Sequence, residues 1–289
     1  MSDYSIVPNA ALTETADAIR TKSGSQATIE FDHNTGFKDA VDAIPSGGIN
    51  FDDFLSGAEP SGTQVADTVD IVGPYMCYNR TGITSLTSSS ITTIREQAFQ
   101  GCSNLEEVIL PNLEYFRQGA TGTNENGNPG SCFRDCKLRH VYLPKLKYMY
   151  ARSVFLGATN GGTDSDPAVY VLPALETALH NTWSNAHTII VDLGPSVPSI
   201  NSDCFYDGNL SSNNPKNTLI LRRTADAVAA QNTDSIRSIK YLYVPQDLVE
   251  TYQTATNWST RYSAGYLQIN AIEGSQYENY YADGTLIPT

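Results

Sequence analysis

The sequence predicts an α/β solenoid, in which short strands from irregular repeats stack on one another, preceded by a small helical module. Leu105 is followed three positions later by Val108, and Leu110 follows two positions after that. This spacing is typical of a turn that leads into a short strand with Val108 and Leu110 on one face. The same spacing returns several times along the chain. Because one such unit cannot bury its apolar face alone, the repetition predicts that copies stack above and below it.

The repeated spacing predicts six strands, whose last apolar residues are at positions 110, 143, 172, 191, 221 and 244. A proline follows four of these positions, and Asp192 and Arg222 replace it after the other two. An aromatic position in the turn of the repeat recurs as Phe99, Phe133, Phe155, Trp183 and Phe205. The predicted repeat core consists of Ile94, Phe99, Leu105, Val108, Leu110, Phe133, Leu138, Val141, Leu143, Leu242 and Val244.

The sequence of residues 1–48 predicts that this segment forms the small helical module. Asn9 is a suitable N-cap for a helix over about residues 10–22, and a second helix is predicted over about residues 35–44. Pro45 ends that helix, and the Ser-Gly-Gly sequence after it indicates a linker. Two short apolar stripes make too small a core to fold alone. We therefore expect oligomerisation or attachment through Leu12, Ala16, Ile19, Phe37, Val41 and Ile44.

The rest of the chain is predicted to be the solenoid with its two ends. Residues 49–75 are expected to join the module to the solenoid and to seal its first repeat, and residues 76–245 form the solenoid itself. Gly/Asn-rich inserts interrupt it at 119–131 and 157–167; loops of this length are usually functional or disordered. A C-terminal cap is predicted at 246–274, with a helix over about 245–258 and a strand over about 266–272. A tail follows at 275–289.

Charge and hydropathy limit the expected partners. The formal net charge is −13, with only 18 Lys and Arg residues, which disfavours binding to nucleic acid and to anionic lipid. No apolar run approaches the length of about 20 residues that a membrane-spanning helix needs, so no membrane insertion is expected. Residues 1–10 also lack the basic and apolar regions of a signal peptide.

Few residues form a pattern with its own chemistry. The five cysteines are odd in number and scattered, and we expect them to be reduced residues of the core. Zinc binding by Cys132, Cys136 and His140 and calcium binding by the Asn and Asp residues of the inserts are weaker alternatives to core packing and polar turns. No nucleophile motif or glycine-rich phosphate loop is present. No enzyme activity, catalytic residue, metal or cofactor is predicted, and a glycosidase with paired carboxylates stays open as an alternative.

Tyrosine is the residue type that points to recognition. The chain has 17 Tyr residues but only 9 Phe residues. Tyr gives a large amphipathic contact area at low entropic cost, which suits binding surfaces. Several tyrosines lie in or beside the predicted strands, where they alternate with core residues and should face outward. The predicted recognition surface comprises Tyr142, Tyr148, Tyr150, Tyr241 and Tyr243.

Two stretches resemble known families. The pattern Ile-x-x-Ile-x-x-x-Ala-Phe-x-Gly-Cys-x-x-Leu-x-x-Val-x-Leu-Pro at 91–111 resembles the BspA-like leucine-rich repeat, and 243–258 is similar to the closing segment of that family. Together these similarities cover about residues 65–274. Residues 8–46 resemble an N-terminal module in tail proteins of phages and prophages of Gram-positive hosts.

The resemblances imply a structural or recognition component of a phage or prophage tail. The N-terminal module would attach to tail or baseplate proteins, and the solenoid would display a receptor-binding surface to a protein or glycan of the host. A virion location and a homo-oligomer, by analogy a trimer, are expected. The alternatives are an adhesion protein of the bacterial cell surface and a carbohydrate-active enzyme.

Overall fold

The computed structural model describes residues 62–65, 70–117, 130–149, 153–158, 163, 166–177, 180–186, 188–201, 203–206 and 215–278. The predicted N-terminal module, the tail beyond residue 278 and most of the two predicted inserts lie outside these ranges. So do all six residues predicted for oligomerisation: Leu12, Ala16, Ile19, Phe37, Val41 and Ile44.

The largest element is a parallel sheet of nine strands in the order β1-β3-β5-β7-β9-β10-β12-β14-β15. Each strand belongs to one coil, meaning one turn of the solenoid, and pairs in parallel with the strands of the neighbouring coils. We call it the long sheet. Its strands are β1 (Gly62–Val65), β3 (Ile83–Thr87), β5 (Glu107–Ile109), β7 (His140–Tyr142), β9 (Ala168–Leu172), β10 (Ile189–Leu193), β12 (Asn217–Leu221), β14 (Ile239–Val244) and β15 (Gln268–Ala271).

A second side of the coils carries shorter strands, which are also parallel. Four of them form the short sheet, in the order β2-β4-β6-β8, and β11 pairs with β13 further along. At β8, the last strand of the short sheet, the backbone N–H of Met149 donates to Thr177 Oγ1 at 3.0 Å. These strands are β2 (Ile71–Val72), β4 (Thr93–Arg95), β6 (Tyr115–Arg117), β8 (Tyr148–Met149), β11 (Ser199–Ile200) and β13 (Ala229–Ala230). The predicted repeat solenoid is confirmed as a stack of mostly parallel strands, and helices are few among the described residues.

The core consists of rows in which one position of the coil repeats from strand to strand. The central row runs in register through Leu86, Val108, Val141, Tyr170, Val191, Leu219, Leu242 and Ile269. Every residue in it is at least nine-tenths buried. All eleven residues of the predicted core are at most 2% exposed. The alternation of Val108 with Leu110 thus places both side chains inside the solenoid, as the spacing predicts.

The predicted register of β10 is wrong by two residues. Val191, rather than Ile189, pairs with Tyr170, and Leu193 rather than Val191 pairs with Leu172. Gly194, not Asp192, therefore occupies the position that holds proline after Leu110, Leu143 and Leu172. A side chain at residue 194 would overlap the carbonyl oxygen of Pro173, so glycine is required at this close approach.

The third side of each coil is a turn built around the predicted aromatic position. Phe99, Phe133, Phe155, Trp183 and Phe205 form a continuous stack in which neighbouring ring centroids are 5.2–5.9 Å apart. All five side chains are fully buried. Their backbone N–H groups donate to carbonyls of the next coil, as from Phe99 to Cys132 at 2.9 Å. The turn therefore holds the coils together through both ring stacking and backbone hydrogen bonds.

Each of these turns depends on left-handed backbone. Two positions before the stacked residue, φ is positive at Gln97, Ser131, Ser153, Asn181 and Asp203, and at Tyr75 in the equivalent turn around Cys77. A second positive φ occurs two positions after it, where one coil has Gly101 at 77°. A Cβ atom at Gly101 would collide with the Asn79 side chain of the preceding coil. Apart from Tyr75 and Gln97, these positions hold small polar residues or glycine, and Asn, Asp and Gly are the residues that adopt left-handed backbone most readily.

The C-terminal cap differs from the single helix that the sequence predicts. A 3-10 turn at Gln246–Leu248 leads into α1 (Val249–Thr254), and α2 (Trp258–Ser263) follows. The helix is interrupted because Asn257 has a positive φ of 69°. Trp258 Nε1 donates to the Val228 carbonyl at 2.8 Å, and the Val228 N–H donates to Tyr252 Oη at 2.9 Å. These two buried bonds fix the cap on the last coils. No helix in the described ranges is long and apolar enough to cross a membrane.

Candidate functional site: the outer faces of the two sheets

The five tyrosines of the predicted recognition surface do not lie on one surface. Tyr142, Tyr241 and Tyr243 face outward from the long sheet, whereas Tyr148 faces outward from the short sheet. Tyr150 lies outside the described residues. In the long sheet, Tyr142 and Tyr243 belong to one outer row, and Tyr241 belongs to the neighbouring one. The two sheets thus present separate candidate sites.

The outer face of the long sheet is partly covered by the chain itself. Ile272 and Tyr277 form a buried apolar cluster with Val169, Val171, Ile190 and Ile220, and Tyr142 and Tyr243 pack against it. The Tyr277 ring meets the Tyr243 ring edge-on, with centroids 4.6 Å apart. Burial raises the pKa of both phenols. Tyr243 is therefore a half-buried residue whose ring packs against the chain itself.

A buried ion pair anchors this covering segment, residues 272–278. Arg222 donates to both carboxylate oxygens of Asp192, at 3.0 and 2.9 Å, and its Nη2 also donates to the Tyr277 carbonyl at 2.9 Å. Asp192 is fully buried although it points outward from its strand. Arg222 occupies the proline position that the sequence predicts for it, since Leu221 pairs with Leu193, whereas Asp192 does not. Together the two residues hold the C-terminal segment on the sheet.

The outer face of the short sheet combines aromatic rings with guanidinium groups. Tyr115 and Tyr148 are partners on adjacent strands, and their rings stack with centroids 5.4 Å apart and an angle of 17° between planes. The Arg117 guanidinium lies 4.4 Å from the centre of the Tyr115 ring. Arg95 is the strand partner of Arg117. We call these four half-buried residues, Arg95, Tyr115, Arg117 and Tyr148, the aromatic–arginine patch.

Two cations on adjacent strands are unusual on an acidic protein. Among the described residues, neither Arg95 nor Arg117 pairs with a carboxylate, and the Nε atom of each is enclosed without a hydrogen-bond acceptor. Like charges on neighbouring strands repel one another. Stacking on Tyr115 gives the Arg117 guanidinium a favourable cation–π contact and a fixed orientation. The patch therefore combines two half-buried guanidinium groups with two stacked rings, and the Tyr148 hydroxyl donates to Glu176 Oε2 at 3.3 Å at its edge.

Sequence analysis found only Tyr148 of this patch, although a signal for Tyr115 was present. Tyr115 follows Leu110 by five positions, and Tyr148 follows Leu143 by the same interval. An equal offset from the strand places both rings on one face of the solenoid. The prediction considered only residues in or next to the clearest strands and did not extend the repeat to the second side of the coil.

The residues considered for metal binding have other roles in the fold. The thiols of Cys132 and Cys136 donate to the carbonyls of Arg95 and Phe99, at 3.3 and 3.1 Å. Asp166 of the second insert forms an ion pair with Arg139. His140 lies on the outer face of the long sheet, where burial lowers the pKa of its imidazole while neighbouring Glu107 opposes that shift. Across the described ranges, no group of three or more His, Cys, Asp or Glu side chains is arranged to hold a metal ion.

Comparison with known proteins supports the repeat assignment for part of the chain. The family described as BspA type leucine-rich repeat region (6 copies) matches residues 63–160, which is about one third of the chain. This segment contains the coils from β3 to β8, including the aromatic–arginine patch. The parallel register continues beyond the match as far as β15. No curated protein matches the chain.

Proposed function

We propose that the protein is a non-enzymatic recognition protein, in which the solenoid presents the aromatic–arginine patch to a protein or glycan on the surface of a bacterial cell. The observation that carries this proposal is the stacked pair Tyr115/Tyr148 beside Arg95 and Arg117, which form no ion pair with any carboxylate in the described ranges. Tyr and Arg are the side chains that most often dominate binding energy at interfaces.

The scaffold supports such a role because it holds the patch in place before binding. Each patch residue is next in sequence to a residue of a buried row: Ile94, Phe116 and Met149 point inward from the strands that carry them. The Tyr115 ring is held between Tyr148 and the Arg117 guanidinium. Side chains that are already ordered lose less conformational entropy on binding.

The more specific proposal is that this recognition protein belongs to a phage or prophage tail. It rests on the resemblance of residues 8–46 to a tail module, a part of the chain outside both the described residues and the BspA type match. In this proposal, residues 1–48 attach to tail or baseplate proteins and assemble a homo-oligomer, for which a trimer is the working assumption, and the protein is located in the virion.

A cell-surface adhesion protein is the second candidate, and the BspA type match is compatible with it. The two candidates share the recognition step and differ in what carries the solenoid to the cell. The neighbouring genes distinguish them: tail and lysis genes on both sides support the phage assignment, whereas an export signal on the gene product supports the adhesion protein.

Binding to cells tests the recognition step. Fluorescently labelled full-length protein is incubated with a panel of Gram-positive bacteria and measured by flow cytometry. We expect the variant Tyr115→Ala/Tyr148→Ala to bind at least tenfold more weakly, because loss of about 1.4 kcal/mol or more is typical of hot-spot aromatics. The matched control is Tyr75→Ala/Tyr78→Ala, which removes a pair of neighbouring exposed tyrosines elsewhere on the solenoid. An equal loss of cell binding in both double variants would reject the proposal, as would a wild-type protein that binds no cell of the panel.

A further inference from the structure

The two cations of the aromatic–arginine patch lie side by side at the surface of the solenoid. Arg95 and Arg117 are direct partners on the adjacent strands β4 and β6, and neighbouring strands are about 4.8 Å apart. Across the described ranges neither forms an ion pair with a carboxylate. The Nε atom of each is enclosed, but the terminal Nη1 and Nη2 atoms are not, since both side chains are only half-buried. The charged ends of both arginines are therefore open to a partner.

The planar groups of the patch are stacked, which determines what they can contact. The Tyr115 ring is held between the Tyr148 ring, at 5.4 Å, and the Arg117 guanidinium, at 4.4 Å. A sugar that stacks on an aromatic ring needs a free ring face, and little of either face of Tyr115 is left. The edges of the stack carry N–H and O–H groups instead. They favour a partner with negatively charged oxygens over a neutral sugar face.

The short sheet is a narrow strip. Its four strands have two or three residues each, so its outer face is about 10 Å wide and about 19 Å long, or roughly 200 Å². A globular protein partner typically covers about 800 Å². An extended peptide usually adds to a free sheet edge through its main chain, whereas β4 and β6 are each paired on both sides. The strip therefore fits a single linear chain that is held by side chains, as a glycan is.

We propose that the aromatic–arginine patch binds a linear acidic glycan, a chain of sugars that carries carboxylate or phosphate groups. One acidic group lies between Arg95 and Arg117 and accepts hydrogen bonds from their Nη atoms, and the adjoining sugar contacts the outward edges of Tyr115 and Tyr148. The Glu176 carboxylate, which accepts a hydrogen bond from Tyr148, repels a second acidic group at that end. This inference rests on the proposed function, because it specifies what the patch recognises on the cell.

The acidic character of the whole chain is compatible with such a ligand. The formal net charge is −13, but charges at a protein surface are screened beyond about 8 Å at physiological ionic strength. Two like charges on adjacent strands repel one another in the free protein. A bound anion removes this repulsion, so the two arginines together favour a single acidic group.

Isothermal titration calorimetry of the full-length protein with defined polymers tests the proposal without cells. Polygalacturonate carries a carboxylate on each sugar, and phosphorylated dextran carries phosphate groups. Methyl-esterified polygalacturonate and dextran have the same backbones without the charge, and poly-L-glutamate has the charge without the sugars. We expect one or both acidic glycans to bind, and the other three polymers to bind at least about tenfold more weakly. The logarithm of the affinity should fall with the logarithm of the salt concentration with a slope between about −1 and −2, because two cations take part.

Single substitutions assign the binding to these arginines. Arg117→Gln should weaken binding of the acidic glycan by about tenfold or more, because hydrogen bonds between charged groups are the strong ones. It should also make the salt slope less steep by about one. Arg95→Gln should act in the same direction and replaces Arg117→Gln if that variant does not fold. Arg134→Gln is the matched control: Arg134 is 39% exposed and pairs with Asp135, and its loss should change the affinity by less than about twofold.

Three results would overturn the proposal. They are no binding of either acidic glycan, equal binding of poly-L-glutamate, which would indicate an acidic peptide, and a wild-type affinity in the folded arginine variants. The outcome is distinguishable from that of the proposed function. A protein that binds cells through Tyr115 and Tyr148 but binds neither acidic glycan recognises a different ligand. A protein that binds an acidic glycan but no cell has this site without the proposed function.

Discussion

At the scale of single residues, the core is held by side chains that contact their own counterparts in the coils on either side. Phe133 stacks on Phe99 and Phe155, and Phe116 meets its edge at 5.9 Å. Removing the Phe133 ring therefore disturbs three coils, because Phe99 and Phe155 cannot move into the space it leaves without losing their stacking contacts in their own coils. The dense packing of protein interiors makes such cavities costly.

Truncation of core residues tests this packing. Phe99→Ala and Leu110→Ala should each lower the free energy of unfolding by about 3–5 kcal/mol, as large-to-small substitutions in a buried core do. Denaturant unfolding of the full-length protein measures the loss. Tyr78→Ala is the control, because Tyr78 is 40% exposed and should change stability by less than about 0.5 kcal/mol. Unchanged midpoints for both core variants would mean that the repeat register is wrong.

The five cysteines give a second test at the residue scale. All five are buried and none forms a disulfide. Burial raises the pKa of Cys204 to about 12 and also raises the pKa of Cys77, Cys132 and Cys136. Because the thiolate is the reactive form, iodoacetamide at pH 8 should label the folded protein slowly and the denatured protein rapidly at all five positions. Mass spectrometry counts the labels. Rapid labelling of any of these four cysteines in the folded protein, or a disulfide between any two, would contradict the described core.

Individual residues also show how far the sequence could predict the fold. The spacing Leu-x-x-Val-x-Leu-Pro located β5, β7 and β14, because proline marks the end of each strand. In β10 both Ile189–Val191 and Val191–Leu193 alternate correctly, and no proline follows directly to choose between them. Only the pairing of Val191 with Tyr170 fixes the register of β10, and this pairing depends on the neighbouring coil.

At the scale of elements, the covering segment 272–278 is the feature that sequence analysis did not predict. A signal was present, because β9, β10 and β12 are buried along their whole length and have nearly continuous apolar sequences. Such runs are typical of strands that are covered on both faces. The sequence does not show what covers the outer face, since residues 272–278 have no periodicity. Their contacts are also distant in sequence, as between Tyr277 and Arg222, which are 55 positions apart.

A double-mutant cycle on Asp192 and Arg222 tests the anchor of this segment. Arg222→Met should destabilise the protein by about 3–5 kcal/mol, because it leaves a fully buried carboxylate unpaired. The double variant Asp192→Leu/Arg222→Met should recover most of that loss, since neither charge remains. Denaturant unfolding of the wild type, the two single variants Arg222→Met and Asp192→Leu, and the double variant gives the coupling energy. Additive effects of the two substitutions would show that the ion pair is not the anchor.

At the scale of the whole molecule, the chain is expected to divide its tasks between the N-terminal module and the solenoid. The six apolar residues Leu12, Ala16, Ile19, Phe37, Val41 and Ile44 cannot offset the entropy of ordering a module of this size by burial within it alone. We predict that removal of residues 1–48 leaves a folded monomer, whereas the full-length chain self-associates. Light scattering on both proteins measures this. Attachment through the module is ruled out if both are monomers and the full chain binds no tail component.

Photo-crosslinking on cells shows whether the short sheet, rather than the long sheet, contacts the target cell. Full-length protein carrying benzoylphenylalanine at position 115, 148 or 243 is irradiated on cells that bind the wild type. We expect crosslinks to cell-surface material from positions 115 and 148 but not from 243, where Tyr277 lies on the native ring. Crosslinks from position 243, without any from 115 or 148, would mean that the long sheet, not the short sheet, contacts the cell.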